Sequence, residues 1–527
     1  MTNLTANTPD SSRRSPWLPG IGLSLWLIFV LVLTLSQWRL VMINADGDPC
    51  LHWRIGNWMI EHRAVIRADV LSHTRMNAPL ISKEWLSEIL FAAAGNAFGW
   101  NGVVLLSAVL IATCLWLLHR VLIAEGTDLI LATALTLLAT LPCSVHWLAR
   151  PHLFTQLFAV VFTGQLRLFD RGKLSTRSLL LRLPPLMVLW VNLHGAFFIG
   201  LVIIATFLLG NTPALLTCQR DVKLKLKNTL GGLGLLAVAC GLATLVNPSG
   251  WRLPAHVLEF LWNPVLARFA NEFRSPNFHS GGAHGFVIEL ALVVLTLILL
   301  RPSFSATDVV VMGTWGLLAL LAARNVPIFA LVITPILAEH WQTVLTNAGA
   351  SGRLESYRRF SAKLAARDCY ADGRAAAAVV IVALLAVIAK PKVLGGNPLV
   401  ETDLLTNRFP VAAVHFLHED PRLVSGEMFN DYGWGGYLAL VMPEHKVFVD
   451  GRNDFYGAAL IQEFRDVSEV HTNWEPVLRK YGVGWTILPR LHPLNELLAL
   501  RTDWSLAYDD DVTAIYVRKP ERTEIIE

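Results

Sequence analysis

The chain has 527 residues, of which 54% are hydrophobic and only 16% charged, with a mean hydropathy of +0.48 and a net charge of +4. A soluble globular protein is about a quarter charged, so this composition excludes an ordinary water-soluble enzyme. No basic tract is interleaved with aromatics, as a nucleic-acid groove requires, and the six cysteines form no C-x-x-C pair of the kind that holds zinc or runs redox chemistry.

Arg13 and Arg14 precede an apolar run from Ile21 to Ile43. A secretory h-region is shorter and ends at a small-residue cleavage site, whereas this run leaves through Asn44-Ala45-Asp46-Gly47-Asp48, so it reads as an uncleaved first transmembrane helix. A spanning helix needs about 20 mostly apolar residues with its backbone bonds satisfied internally, and about eleven segments qualify. They centre near residues 21–43, 102–123, 128–146, 152–169, 179–193, 196–217, 229–246, 285–300, 306–323, 326–343 and 375–390. Between the first two, residues 44–84 are too polar to span, and the amphipathic stretch 85–98 reads as a helix lying at the interface. Residues 247–284, with Trp251, Pro254, Trp262, Pro264 and Pro276, read as an interfacial loop with broken helices.

The connecting loops orient the helices. With the N-terminus cytoplasmic, the inner loops collect Arg120; Arg171, Lys173 and Arg177; Arg220, Lys223, Lys225 and Lys227; Arg301; and the basic run from Arg353 to Arg374. That is the expected cytoplasmic bias. An odd helix number places everything after residue 391 outside, and Cys50 and Cys143, both on that side, are candidates to pair. From that point the pattern changes. Val411–Glu419 and Gly457–Val467 read as helices, and Lys446–Val449, Val483–Leu488 and Ala514–Val517 read as strands. These form a small α/β domain. It carries no Gly-rich phosphate loop. The chain thus divides into a membrane domain, residues 1–390, and an extracytoplasmic α/β domain, residues 391–527.

The polar residues at membrane boundaries gather on the outer side. They include Asp46, Asp48, His52, Lys83, Glu84, Glu88, His146, Arg150, His152, Asn192, His194, Glu272, Arg274, Arg324 and Asn325. Singly, each reads as an interfacial anchor or a helix cap. Supplied together by several outer segments, they mark a shared cavity, since ionisable groups near the apolar slab are costly. Asp46 and Asp48, at i and i+2, suit a divalent cation such as Mg²⁺ or Mn²⁺, or one of them suits a general base. Asp46-Gly47-Asp48 also reads simply as a turn leaving the membrane. Arg150, His152 and Arg324 suit an anionic phosphate, because Arg offers a planar fork that stays charged. His194, at a hairpin tip, suits a donor to a sugar or phosphate.

Many spans, an acidic first outer loop, an amphipathic helix before the second span and an outer C-terminal domain together resemble the GT-C glycosyltransferases. Asp46-Gly47-Asp48-Pro49 followed by His52, Trp53 and Arg54 is similar to the first-loop motif of oligosaccharyltransferase catalytic subunits. Asn430-Asp431-Tyr432-Gly433-Trp434 resembles their Trp-Trp-Asp-Tyr-Gly motif, and Trp190–Gly195 and Asp450-Gly451-Arg452 resemble phrases of little-characterised bacterial members. The chain departs from the oligosaccharyltransferases at Phe429 and Asn430, where those enzymes carry two tryptophans. It departs again at His146, Arg150 and His152, where they carry a further Asp-x-Asp. Between these and the protein mannosyltransferases and lipid A aminoarabinose transferases, whose acids after the first helix are adjacent or nearby, it is intermediate.

The resemblance implies a polytopic α-helical enzyme of a bacterial inner membrane. It would move a sugar from a polyprenyl-phosphate donor to a lipid, glycan or protein acceptor on the outer face. Asp46 or Asp48 would be the base, Arg150, His152, His194, Arg324 and Lys83 would hold the donor phosphate, and Glu272, Arg274, Asp431 and Tyr432 would contact or gate the acceptor. A transporter or flippase of lipid-linked sugars would instead show symmetric halves and mid-membrane charges. The sequence shows no such halves and sets its charges at one interface. A non-catalytic scaffold would use Asp431-Tyr432-Gly433 and Asp450-Gly451-Arg452 as structural turns.

Overall fold

A computed structural model describes residues 14–213, 220–262, 271–300, 304–347, 352–389, 400 and 402–520. The boundary expected at residue 390 and the inner-loop Arg301 fall outside these residues. Each apolar segment anticipated from the sequence is helical. The first is α1 (Ile21–Leu35) and α2 (Trp38–Asn44), bent by 67° at Ser36-Gln37. After the polar helix α3 (Asp48–His62) and the helix α4 (Trp85–Phe98) come α5 (Trp100–Glu125), α6 (Leu129–Cys143), α7 (His152–Asp170), α8 (Thr176–Leu193) and α9 (Phe198–Asn211). The membrane part continues through α10 (Arg220–Ala243), α11 (Arg252–Trp262), α12 (His284–Leu300), α13 (Ala306–Leu321), α14 (Val326–Asn347), α15 (Gly352–Asp368) and α16 (Arg374–Ile388). Among the described residues, 5 helices are long and apolar enough to cross a membrane, or 6 with the bent pair as one span. The other segments counted as spans form shorter or more polar helices.

Local chemistry sets the ends. Asp48 and Pro49 open α3, an acid in the first turn with a ring that needs no N–H there. Glycines at φ +62° and +98°, Gly99 and Gly126, close α4 and α5. Asp128 caps α6 by accepting from the Ile130 and Leu131 amides, and Ser305 with Asp308 forms a capping box on α13.

The C-terminal part holds β1 (Glu427–Asn430), β2 (Val483–Pro489), β3 (Trp504–Asp509) and β4 (Thr513–Arg518) in the order β1-β2-β4-β3. β1 runs parallel to β2, and the other two pairings are antiparallel. Helices α17 (Val411–Glu419), α18 (Gly435–Val441), α19 (Asn453–Ser468), α20 (Trp474–Lys480) and α21 (Pro493–Ala499) complete it. One apolar core is continuous from Phe158 and Trp190 in the helical part to Trp485 and Ile515 in the sheet.

The structure corrects three expectations. Lys446–Val449 is not a strand of the sheet. Val447 makes a single bridge to Ser72 of the first outer loop, while the Asn430 side chain takes the Phe448 amide at 2.7 Å and donates to the Val449 carbonyl at 2.9 Å. Its apolar run reflects burial on both sides, which periodicity does not distinguish from strand pairing. Cys50 and Cys143 are separate buried thiols. The charged groups are not confined to one end of the bundle. Arg167, at the far end of α7, is 4% exposed and meets Glu125 at 2.8 Å and Glu339 at 2.8 Å, with Asp308 at 3.7 Å. These acids lie on three other helices, so the cluster has no local signature.

Candidate active site

The Asp46-Gly47-Asp48 turn joins α2 to α3. Asp46 Oδ1 accepts the Asp48 amide at 3.0 Å, the self-capping habit of Asp in turns. The C-terminal part presses on this turn through glycines. A Cβ on Gly47 would lie 2.5 Å from the Gly433 carbonyl oxygen, one on Gly436 would lie 2.3 Å from the Gly47 oxygen, and one on Gly451 would lie 2.2 Å from Asp48 Oδ1. Both phrases singled out in the soluble part, Asp431-Tyr432-Gly433 and Asp450-Gly451-Arg452, therefore abut the acidic turn.

Arg150 meets both acids. Its guanidinium pairs with Asp46 and, through Nη1, with Asp48 Oδ2 at 3.1 Å. The fork expected to hold a phosphate is thus engaged by carboxylates. Burial pushes the Asp48 carboxyl up to about 6, with Glu272, Glu84 and Asp450 adding to the effect and His52 opposing it. His152 turns Nε2 to the His146 carbonyl at 2.6 Å. His194 Nδ1 lies 2.7 Å from Thr155 Oγ1, which also accepts from Trp190 Nε1 at 2.9 Å. His194 Nε2 faces Glu84 Oε1 at 3.4 Å.

Lys83 Nζ is 2.7 Å from Asp454 Oδ2, and His256 Nε2 meets the same oxygen at 3.0 Å. Although burial opposes it, the carboxylates of Asp454 and Glu84 raise the Lys83 ammonium above its ordinary value. Arg324 lies 3.8 Å from Glu272 and 4.2 Å over the Phe273 ring, a looser arrangement than those of Arg150 and Lys83. Asp48, His52, Lys83, Glu84, Arg150, His152, His194, Glu272 and Arg324 share one cavity of about 190 Å³. Arg274 is exposed, and its carbonyl accepts from the Ala323 amide at 2.8 Å. Asp431 caps the turn after β1 through the Gly433 amide at 2.8 Å, and neither it nor Tyr432 lines the cavity.

Among the lining residues that escaped the sequence reading, Asn453 and Asp454 enter from the C-terminal part, beside Arg452. Arg452 is fixed by Asp450 at 2.5 Å and Asp69 at 2.8 Å, joining the C-terminal part to the loop between α3 and α4. Asp450-Gly451-Arg452 was the available signal, but its role depends on contacts nearly four hundred residues away in the chain.

A divalent cation held by Asp46 and Asp48 does not fit these residues, because Arg150 already bridges the two carboxylates with its own positive charge. The described residues instead bring His52, Glu84 and Glu88 together, their ligand atoms all within 4.8 Å of one another.

A helical bundle in which the loop after the first apolar helix supplies acids to a cavity bordered by a C-terminal α/β part has the architecture of the GT-C fold, which the two solved structures with TM-scores above 0.5 support. The archaeal oligosaccharyltransferase AglB from Archaeoglobus fulgidus, in complex with an inhibitory peptide and a dolichol-phosphate, matches with a TM-score of 0.52 at 13% identity, over 89% of this chain and 69% of that one. The apo form of the Archaeoglobus fulgidus oligosaccharyltransferase matches at 0.51 and 14% identity, with the same coverage. ArnT from Cupriavidus metallidurans bound to undecaprenyl phosphate aligns at 0.49 and 13% identity over 95% of this chain and 98% of that one. No protein-family model and no curated protein matches the sequence.

Proposed function

We propose that the protein is a glycosyltransferase that moves a sugar from a polyprenyl-phosphate carrier to an acceptor hydroxyl on the outer face of a bacterial inner membrane. Its N-terminus is then cytoplasmic. The observation that carries this reading is the meeting in one cavity of a carboxylate with a pKa raised to about 6, Asp48, and two cations from other segments, Lys83 and Arg324. The GT-C fold supports it.

In this reaction the acceptor oxygen attacks the anomeric carbon, and the bond from that carbon to the phosphate oxygen breaks. Polyprenyl phosphate leaves with the electron pair, and Asp48 takes the acceptor proton. Arg324 and Lys83 stabilise the charge that grows on the phosphate. Beside them a smaller cavity of about 70 Å³, bordered by Phe198, Val257, Phe260 and Phe273, offers an apolar surface to the first units of the lipid. Arg150 aligns Asp46 and Asp48.

The test supplies polyprenyl-phosphate sugars to purified protein and measures release of the lipid phosphate. Asp48→Asn is expected to lower turnover by about 10²-fold or more, the usual worth of a general base, with membrane insertion intact. Wild-type turnover by both Asp46→Asn and Asp48→Asn would sink the assignment.

A further inference from the structure

His52 projects from α3, and Glu84 and Glu88 stand at the start of α4. The two helices cross closely, for a Cβ on Gly56 would fall 2.0 Å from the Glu88 carbonyl oxygen. Where they meet, His52 Nδ1 lies 3.5 Å from Glu88 Oε1 and 3.9 Å from Glu84 Oε2. Both separations exceed the 2.7–3.2 Å range of an N–H···O hydrogen bond. They approach the spacing of about 3.4 Å that two ligands 2.1 Å from a tetrahedral metal would keep.

The buried polar atoms point the same way. His52 is 8% exposed and Glu88 6%, and neither His52 Nδ1 nor Glu88 Oε2 has a hydrogen-bond partner. An unsatisfied buried group of this kind costs about 1–3 kcal/mol. The positive group facing the two carboxylates is His52, with Lys83 behind Glu84 already taken up by Asp454. One divalent cation would satisfy the orphaned atoms and offset both charges.

We propose that His52, Glu84 and Glu88 form a binding site for a first-row transition metal, with zinc the best match to one imidazole and two carboxylates. The site is distinct from the Asp46–Asp48 pair. His194 Nε2 lies 3.4 Å from the other oxygen of Glu84, where the outer partner of a metal ligand stands. His52 and Glu84 line the cavity, so the fourth coordination position opens toward it. The metal ties α3 to α4 at the cavity wall.

The full-length protein, purified in detergent and stripped with chelator, is titrated with Zn²⁺ and with Mg²⁺, and separately with Co²⁺ while its visible absorption is followed. About one zinc per chain is expected, bound far more tightly than magnesium, with Co²⁺ giving d–d bands of low coordination number. Glu88→Gln, which keeps the side-chain shape, is expected to weaken zinc more than tenfold and to change the Co²⁺ bands, and His52→Ala to do the same. Asp48→Asn is expected to leave both unchanged. Absence of zinc binding by the wild-type protein, or zinc affinity and Co²⁺ bands untouched by Glu88→Gln, overturns the proposal. None of these readouts involves sugar transfer, so failure of the transferase reading is separately visible.

Discussion

Arg150 Nη1 stands 3.1 Å from Asp48 Oδ2, so a residue just before α7 and the first residue of α3 are joined across about a hundred positions of sequence. Asp46 shares the same guanidinium. Removing one partner of a fully buried ion pair costs about 3–5 kcal/mol. Here the side chains keep 19% and 28% exposure, so we expect Arg150→Gln to cost on the order of 1–3 kcal/mol, since solvent screens part of the pair. A double-mutant cycle with Asp48→Asn, read by thermal unfolding in detergent, checks this. Additive losses would show that the two residues do not act as a pair.

The raised pKa of Asp48 fixes a pH dependence with a definite sign. Its carboxyl is pushed from the ordinary 3.8 to about 6, chiefly by burial. A base must be deprotonated to act, so kcat/KM should fall tenfold per pH unit below about 6 and level off above it. The residual rate of Asp48→Asn should lose that limb. A wild-type profile flat from pH 5 to 7 would remove Asp48 from the base's role.

Close glycine contacts predict a positional effect from residues that carry no functional group. An alanine at Gly436 would set its Cβ 2.3 Å from the Gly47 carbonyl oxygen, and backbone there has nowhere to retreat. Overpacking of this sort costs about 1–3 kcal/mol, and it falls on the turn that aims Asp48. We expect Gly436→Ala to lose more than about tenfold in turnover while the protein still inserts and stays monodisperse. Gly231→Ala, at a glycine with open space around it, is the matched control and should behave as wild type.

The same contacts explain what the sequence could disclose. Helices α4 and α17 follow from their apolar periods, because their partners lie on one face, and strands β2 and β4 from short apolar runs buried along most of their length. Helix α3 was hidden by its polarity, since its buried residues include His52 and Cys50 rather than a simple apolar stripe. Strands β1 and β3 were missed because the four residues of β1 are too few to show alternation, and because β3 buries only its first residue. Asp46 and Asp48 were legible from their place after the first helix. That Arg150 meets them, rather than standing free for phosphate, was not, because charge pairing over such separations leaves no local trace. Asp454 escaped for the same reason, its partners Lys83 and His256 coming from a distant loop and from α11.

Lys83 and Arg324 differ in how firmly they are engaged, which predicts different costs for removing them. Arg324 sits 3.8 Å from Glu272, whereas Lys83 is 2.7 Å from Asp454. A charged hydrogen bond to phosphate is worth about 1.5–3 kcal/mol, or roughly 10- to 100-fold in affinity. Arg324→Met should therefore weaken binding of a short-chain polyprenyl phosphate by that factor and leave unfolding nearly unchanged. Lys83→Met should weaken binding comparably and also lower thermal stability, because Asp454 is then left with His256 as its remaining close partner. Titration of both variants with the lipid phosphate, at low and high salt, checks the difference. Unaltered affinity in both would place the phosphate elsewhere in the cavity.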